Sequence, residues 1–137
     1  MSATNLEGIQ KVFNEVSAHL LQQKKRCVDA LTGECLYRGS DGTKCAVGCL
    51  IPDELYDKEL ENSSIRSILN ETQTSDRKQK ISAHFTKTYG DVPLDFYSRL
   101  QAIHDRTSSC DWRLRLQGFG THWNLDVSSV ESDQNAN

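Results

Sequence analysis

A helical stripe near the start of the chain constrains the fold most. Between residues 4 and 25, Leu6, Ile9, Val12, Phe13, Val16 and Leu20 recur at the 3.6-residue period of an amphipathic helix. A helix of this kind is stable in water only when something covers its apolar face, so the remaining residues must build the other side of a core. Thr4, with Glu7 three positions on, predicts a capping box at its start. Lys24, Lys25 and Arg26 place cations at the negative end of the helix dipole, which reads as termination and solvation rather than as a phosphate patch.

Later segments carry the same periodicity in shorter pieces. Ser63 and Ser64 precede Ile65, Ile68 and Leu69, the pattern of a capped short helix, and residues 70–78 are polar and read as a loop. Residues 80–89 predict a helix with Ile81, His84, Phe85 and Thr88 on one side and Gly90 as its stop. Pro93 suits the first position of a helix that lines up Phe96, Leu100 and Ile103 beside Tyr97 and His104. Ser109 is placed to cap a last helix with Trp112, Leu116 and Phe119 on one stripe, and Trp123 and Leu125 fold back to close the core. With 137 residues, 36% of them hydrophobic, the chain suffices for one domain that folds without metal or disulfide staples. We assign residues 1–126 to a single compact domain and residues 127–137 to a polar, flexible tail.

The middle of the chain changes character. Cys35-Leu-Tyr-Arg38 is β-compatible, Gly39-Ser-Asp-Gly42 is a strong turn signal, and Thr43–Cys45 completes a return strand. These residues predict a β-hairpin over about residues 34–45, inserted after the first helix. The class that follows is α+β, a mainly helical single domain with one small hairpin. Cys45, Ala46, Gly48 and Cys49 then cluster as small residues that permit close approach of another backbone. Pro52 ends that element, and Asp53 opens an acidic stretch of solvated character, with Glu54, Asp57, Glu59 and Glu61.

Charge and cysteine usage narrow the function classes. A net charge of −3 argues against a nucleic-acid coat protein, and direct nucleic-acid binding is not expected. No run of apolar residues is long enough for a membrane span, no secretory leader is readable at the N-terminus, and a cytoplasmic location is expected. The five cysteines should then be reduced. Zinc would draw on Cys27, Cys35, Cys45 and Cys49, or on Cys45 and Cys49 with His104 and His122. The cysteine spacing lacks the second tight pair that structural zinc sites use, so packed thiols and no metal or cofactor are expected. Thiol catalysis needs a base near a low-pKa cysteine, and no spacing fixes one. His104 and Asp105 are helix neighbours pointing about 100° apart, which predicts no hydrogen-bonded relay between them and puts His104 at the core edge, donating to a backbone carbonyl. His84-Phe-Thr86 is half of a paired His-x-Thr signature whose other half is missing, and residues 39–44 do not satisfy a phosphate-loop pattern.

Cys35-Leu-Tyr-Arg-Gly-x2-Gly-x-Lys-Cys-Ala-Val-Gly-x-Leu-Ile-Pro-Asp53 resembles the central signature of a family of small uncharacterised proteins encoded by tailed phages and prophages. Leu100-Gln-Ala-Ile-His-Asp105, Trp112 and Trp123-Asn-Leu125 are similar to that family's C-terminal pattern, so the likeness covers most of residues 9–125. Tyr37, Gly39, Gly42, Cys45, Gly48, Pro52 and Trp112 are its structural positions. The resemblance implies an accessory protein that binds and modulates a host protein or nucleoprotein complex in the cytoplasm of a bacterium, defence systems such as CRISPR effectors among the targets.

The expected function is therefore non-enzymatic binding. The expected interface combines the acidic residues Asp53, Glu54, Asp57 and Glu59 with the basic residues Arg106, Arg113 and Arg115, and with Arg38 and Lys44 flanking the turn. Two alternatives stand beside it: a small-ligand or enzymatic site between the hairpin and the C-terminal helices, drawing on Tyr37, Cys45, His104 and Trp112, and a zinc-stabilised interaction domain.

Overall fold

The computed structural model describes residues 5–69 and 75–131, and these are mainly helical apart from an irregular segment between residues 24 and 47. In chain order the helices are α1 (Leu6–Gln23), α2 (Ile65–Ile68), α3 (Asp76–Tyr89), α4 (Leu94–Arg106) and α5 (Trp112–His122), joined by short 3-10 turns. Helix α1 is the central strut and packs against α3, α4 and α5, while α2 bridges α3 and α4. Its stripe of Ile9, Val12, Phe13, Val16 and Leu20 is fully buried, whereas Leu6 at its first turn is 53% exposed.

The helix ends follow local chemistry. Asn5, rather than the expected Thr4 box, caps α1: its side-chain oxygen accepts from the Gly8 amide at 3.1 Å, and its amide nitrogen donates to the Tyr89 carbonyl at 2.7 Å. Thr4 itself lies outside the described residues. Ser64 caps α2 and Ser75 caps α3, which therefore starts at Asp76, earlier than the polar run suggested. Gly90 closes α3, and Pro93 is the cap before α4 rather than its first residue. Ser109 opens a 3-10 turn and does not cap α5. Trp123 returns to the core edge-on against Phe96, with ring centroids 4.9 Å apart. Val130, in the stretch read as tail, is fully buried, and Ser128–Val130 packs on α1 and α5. Residues 132–137 lie outside the described part.

The α+β class and the hairpin over residues 34–45 are corrected. Among the described residues there is no strand, and only two isolated antiparallel bridges form, Val28 with Cys35 and Arg38 with Lys44. The turn signals were real: Gly42, at φ +87°, turns the chain so that the Gly39 amide reaches the Thr43 carbonyl at 2.9 Å. A ladder fails to grow because side chains from elsewhere take the backbone donors. The Glu61 carboxylate accepts from the amides of Tyr37 (2.8 Å) and Arg38 (3.1 Å), and Gln23 Oε1 accepts from Lys44 N at 2.8 Å. Gln101 Oε1 accepts from Val47 N at 2.9 Å, and His104 Nε2 from Cys27 N at 2.8 Å. A backbone donor already satisfied this way has nothing left to offer a neighbouring strand.

Candidate functional site

The clamped segment over residues 27–50 is the frame on which the candidate residues sit. Cys45, Ala46, Val47, Gly48 and Leu50 are buried at its end, with Gly48–Leu50 forming a 3-10 turn. Gly48 is there because the Tyr37 carbonyl lies directly over its Cα, where any Cβ would collide. Tyr37 is held from the other end by its hydroxyl, which donates to the Ser63 carbonyl at 2.7 Å.

His104 is the buried polar pivot of this frame. It is fully buried, stacked on Trp112 with centroids 5.6 Å apart, and bonded through both nitrogens. Because Nε2 faces a backbone N–H, which only donates, the ring proton sits on Nδ1 and donates to Asp105 Oδ1 at 2.7 Å. The sequence argument against a His104–Asp105 bond is thus corrected, as is the expected bond to a carbonyl. Gln101 Nε2 donates to the same Asp105 oxygen at 2.9 Å.

Cys35, His104 and Asp105 bring ligand atoms within 4.8 Å of one another, the one such grouping among the described residues. The hydrogen bonds that His104 and Asp105 already make oppose a cation. Desolvation, followed by the Asp105 carboxylate, pushes the Cys35 thiol up to about 11. A metal on His104 Nδ1 would displace the ring proton, and Nε2 already confronts an N–H and cannot take it up. The four cysteines of the zinc alternative are not gathered into one such group among the described residues, and burial pushes Cys27, Cys45 and Cys49 up as well, Cys49 to about 12. Cys27 and Cys45 are buried, Cys49 is half-buried and Cys35 is exposed, and burial disfavours the thiolate at each of the four.

Asp53, Asp57 and Glu61 of the acidic stretch have partners within the chain. Asp53 pairs with Arg38 at 2.6 Å and lies 3.7 Å from Lys44, and Arg38 also donates to the Ile51 carbonyl and stacks over Tyr56. Asp57 accepts from the Glu59 amide at 2.9 Å and lies 3.9 Å from Arg77. Glu61, read as solvated surface, is an anchor. Glu54 and Glu59 are exposed. Pro52 is half-buried between two 3-10 turns. Of the basic candidates, Arg113 donates to the Glu131 carbonyl at 2.6 Å, whereas Arg106 and Arg115 are exposed without an ion-pair partner among the described residues.

Arg106 faces a cleft of about 310 Å3 between α2 and α4 that the sequence did not reveal. Arg66 stands on the same cleft, and Ser64, Ser98 and Asp105 line it with the two arginines. A smaller hollow of about 230 Å3 shares Asp105 and Gln101 with it and reaches Cys35, Tyr37 and Glu61. The expected location between the central segment and a C-terminal helix therefore holds a concavity, but Cys45 and Trp112, fully buried, do not face it. The pairing of Arg66 with Arg106 has no sequence spacing to mark it. Gln101 and His104, polar residues three apart on an otherwise apolar stripe, were the readable sign of the clamp. No helix among the described residues is long and apolar enough to cross a membrane. The chain matches no protein family description, no curated protein and no solved structure.

Proposed function

We propose that this protein is a non-enzymatic accessory protein of phage type, working in a bacterial cytoplasm by docking on an acidic surface of a host protein or nucleoprotein complex, such as a defence effector. The observation that carries the reading is the cleft between α2 and α4, where Arg66 and Arg106 face one concavity without carboxylate partners among the described residues. Most of the chain's other basic groups have an internal use: Lys25, Arg38, Lys44, Arg77, Lys80 and Arg99 have aspartates within reach, and Lys11, Arg26, Lys78 and Arg113 donate to carbonyl or hydroxyl oxygens of the chain. Guanidinium groups left unpaired around a concavity suit bidentate recognition of carboxylates or phosphates on a partner. The likeness of residues 35–53 to small phage proteins supports the setting, and the buried Cys27 and Cys45 and the doubly bonded His104 support binding over chemistry.

Native mass spectrometry of the protein mixed with bacterial lysate fractions tests this reading. The expected result is a stoichiometric complex that weakens as salt rises and is lost when Arg66→Glu and Arg106→Glu are combined, with the helical circular dichroism unchanged. A bare chain in every fraction, or a complex indifferent to the charge reversal, refutes it.

A further inference from the structure

A second surface, using neither Arg66 nor Arg106, carries a different prediction. The turn over residues 29–34 is built with unusual care for a loop. Asp29 Oδ1 accepts from the amides of Leu31 (2.8 Å) and Thr32 (3.1 Å), and Thr32 Oγ1 accepts from Glu34 N at 3.2 Å. The Gly33 amide donates to the Asp29 carbonyl and the Asp29 amide to the Glu34 carbonyl, both at 2.8 Å. All of this order holds up a leucine that touches almost nothing: Leu31 is 95% exposed. A rigid turn that presents an apolar side chain to water gains nothing within its own fold, and such side chains are the anchors of protein interfaces.

Directly behind the knob lies a groove of about 550 Å3, walled by Leu36, Arg38, Tyr56, Lys58 and Glu61, with Leu31 itself on its edge. The charges of the groove are mostly engaged: Asp29 and Glu61 by backbone amides, Arg38 by Asp53 and Ile51. Lys58 is exposed and has no partner among the described residues. On the knob, the exposed Glu34 carboxylate likewise has none. One face thus carries two matching halves, an apolar knob beside a free carboxylate and an apolar groove beside a free ammonium.

We infer that the occupant of this groove is a second copy of the chain. Around a twofold axis beside Leu31, the knob of each copy enters the groove of the other, Leu31 meeting Leu36 and Tyr56 while Glu34 meets Lys58. This is the self-complementarity that an isologous dimer requires. A contact built on one anchor per side and one ion pair per side belongs with weak dimers that form at roughly 10–100 µM.

Sedimentation velocity across a concentration series up to about 300 µM reads this directly, since the chain has a mass of 15.5 kDa and a dimer twice that. Wild type is expected to shift to dimer as concentration rises, and Leu31→Asp to stay monomeric with a thermal midpoint equal to that of dilute, monomeric wild type, because Leu31 is 95% exposed in the monomer. Lys58→Glu alone is expected to weaken the dimer at least tenfold, and Glu34→Lys added to it to restore it. A wild type that stays monomeric throughout overturns the inference, as does a Leu31→Asp variant that dimerises like wild type or a charge pair whose double reversal fails to recover what the single one lost.

Discussion

Replacing Glu61 should unfasten the central segment. Its carboxylate accepts from the Tyr37 amide (2.8 Å), the Arg38 amide (3.1 Å) and the Tyr56 hydroxyl (2.6 Å). Glu61→Ala leaves all three donors without a protein acceptor. Each buried donor so orphaned costs about 1–3 kcal/mol, and bonds to a charged acceptor lie at the upper end. Glu61 is only half-buried and borders the hollows of about 230 and 550 Å3, so water can reach part of the vacated space. The loss should therefore total about 2–4 kcal/mol. For a chain of this length that lowers Tm by roughly 6–15 °C. Glu61→Gln is the sharper variant, because its NH2 group would confront one of the two amides that the carboxylate now serves. It should cost nearly as much as alanine although it keeps size and polarity. Urea denaturation followed by circular dichroism gives both values. A loss below about 1 kcal/mol for either variant refutes the reasoning that Glu61 stands in for a strand partner.

Gly48→Ala should cost about 2–4 kcal/mol in the same assay, since the added Cβ meets the backbone carbonyl of Tyr37 rather than a movable side chain; a neutral result would mean the two segments are not in contact. His104→Ala should cost about 3–5 kcal/mol through the lost stacking on Trp112 and the orphaned Cys27 amide, while a metal chelator leaves the wild-type melting curve unmoved; chelator sensitivity would contradict the assigned proton positions. Acid should weaken the fold in two stages. Desolvation lowers His19 from its ordinary 6.5, so its contribution is present above that value and declines as pH falls below it. Thr43 hydrogen bonds hold Asp41 down to about 2, and Arg38 lowers Asp53, so those contributions are present above the ordinary 3.8 and disappear as pH falls towards 2. His19→Gln, which keeps a donor for the Lys44 carbonyl, should flatten the first stage and leave the second; equal slopes in both proteins would exclude His19 as the cause.

The helices were legible because their information is local. The α1 stripe, the Ser64 cap and the Gly90 stop each need only a few neighbouring residues to specify them. The central segment was misread because its neighbours in sequence are not its bonding partners. Cys35-Leu-Tyr-Arg38 and the Gly39–Gly42 turn do favour a hairpin taken alone, and the turn does form. What decides the outcome is Glu61, Gln101 and His104, between 23 and 77 positions away, and no local propensity weighs an acceptor at that distance. The Arg66–Arg106 cleft was hidden for the same reason, since α2 and α4 meet only in the folded chain. The His104–Asp105 bond was missed because the argument followed Cα directions, while the two flexible side chains close the remaining angle.

Amide hydrogen exchange by NMR tests most directly whether side-chain acceptors hold the central segment in place of a strand ladder. The amides of Cys27, Tyr37, Arg38, Lys44 and Val47, each aimed at a side chain, should be protected together in the wild type, and Glu61→Ala should release Tyr37 and Arg38 ahead of the others. Fast exchange at all five amides, or alternating protection along residues 34–45 of the kind a two-stranded ladder produces, would contradict it.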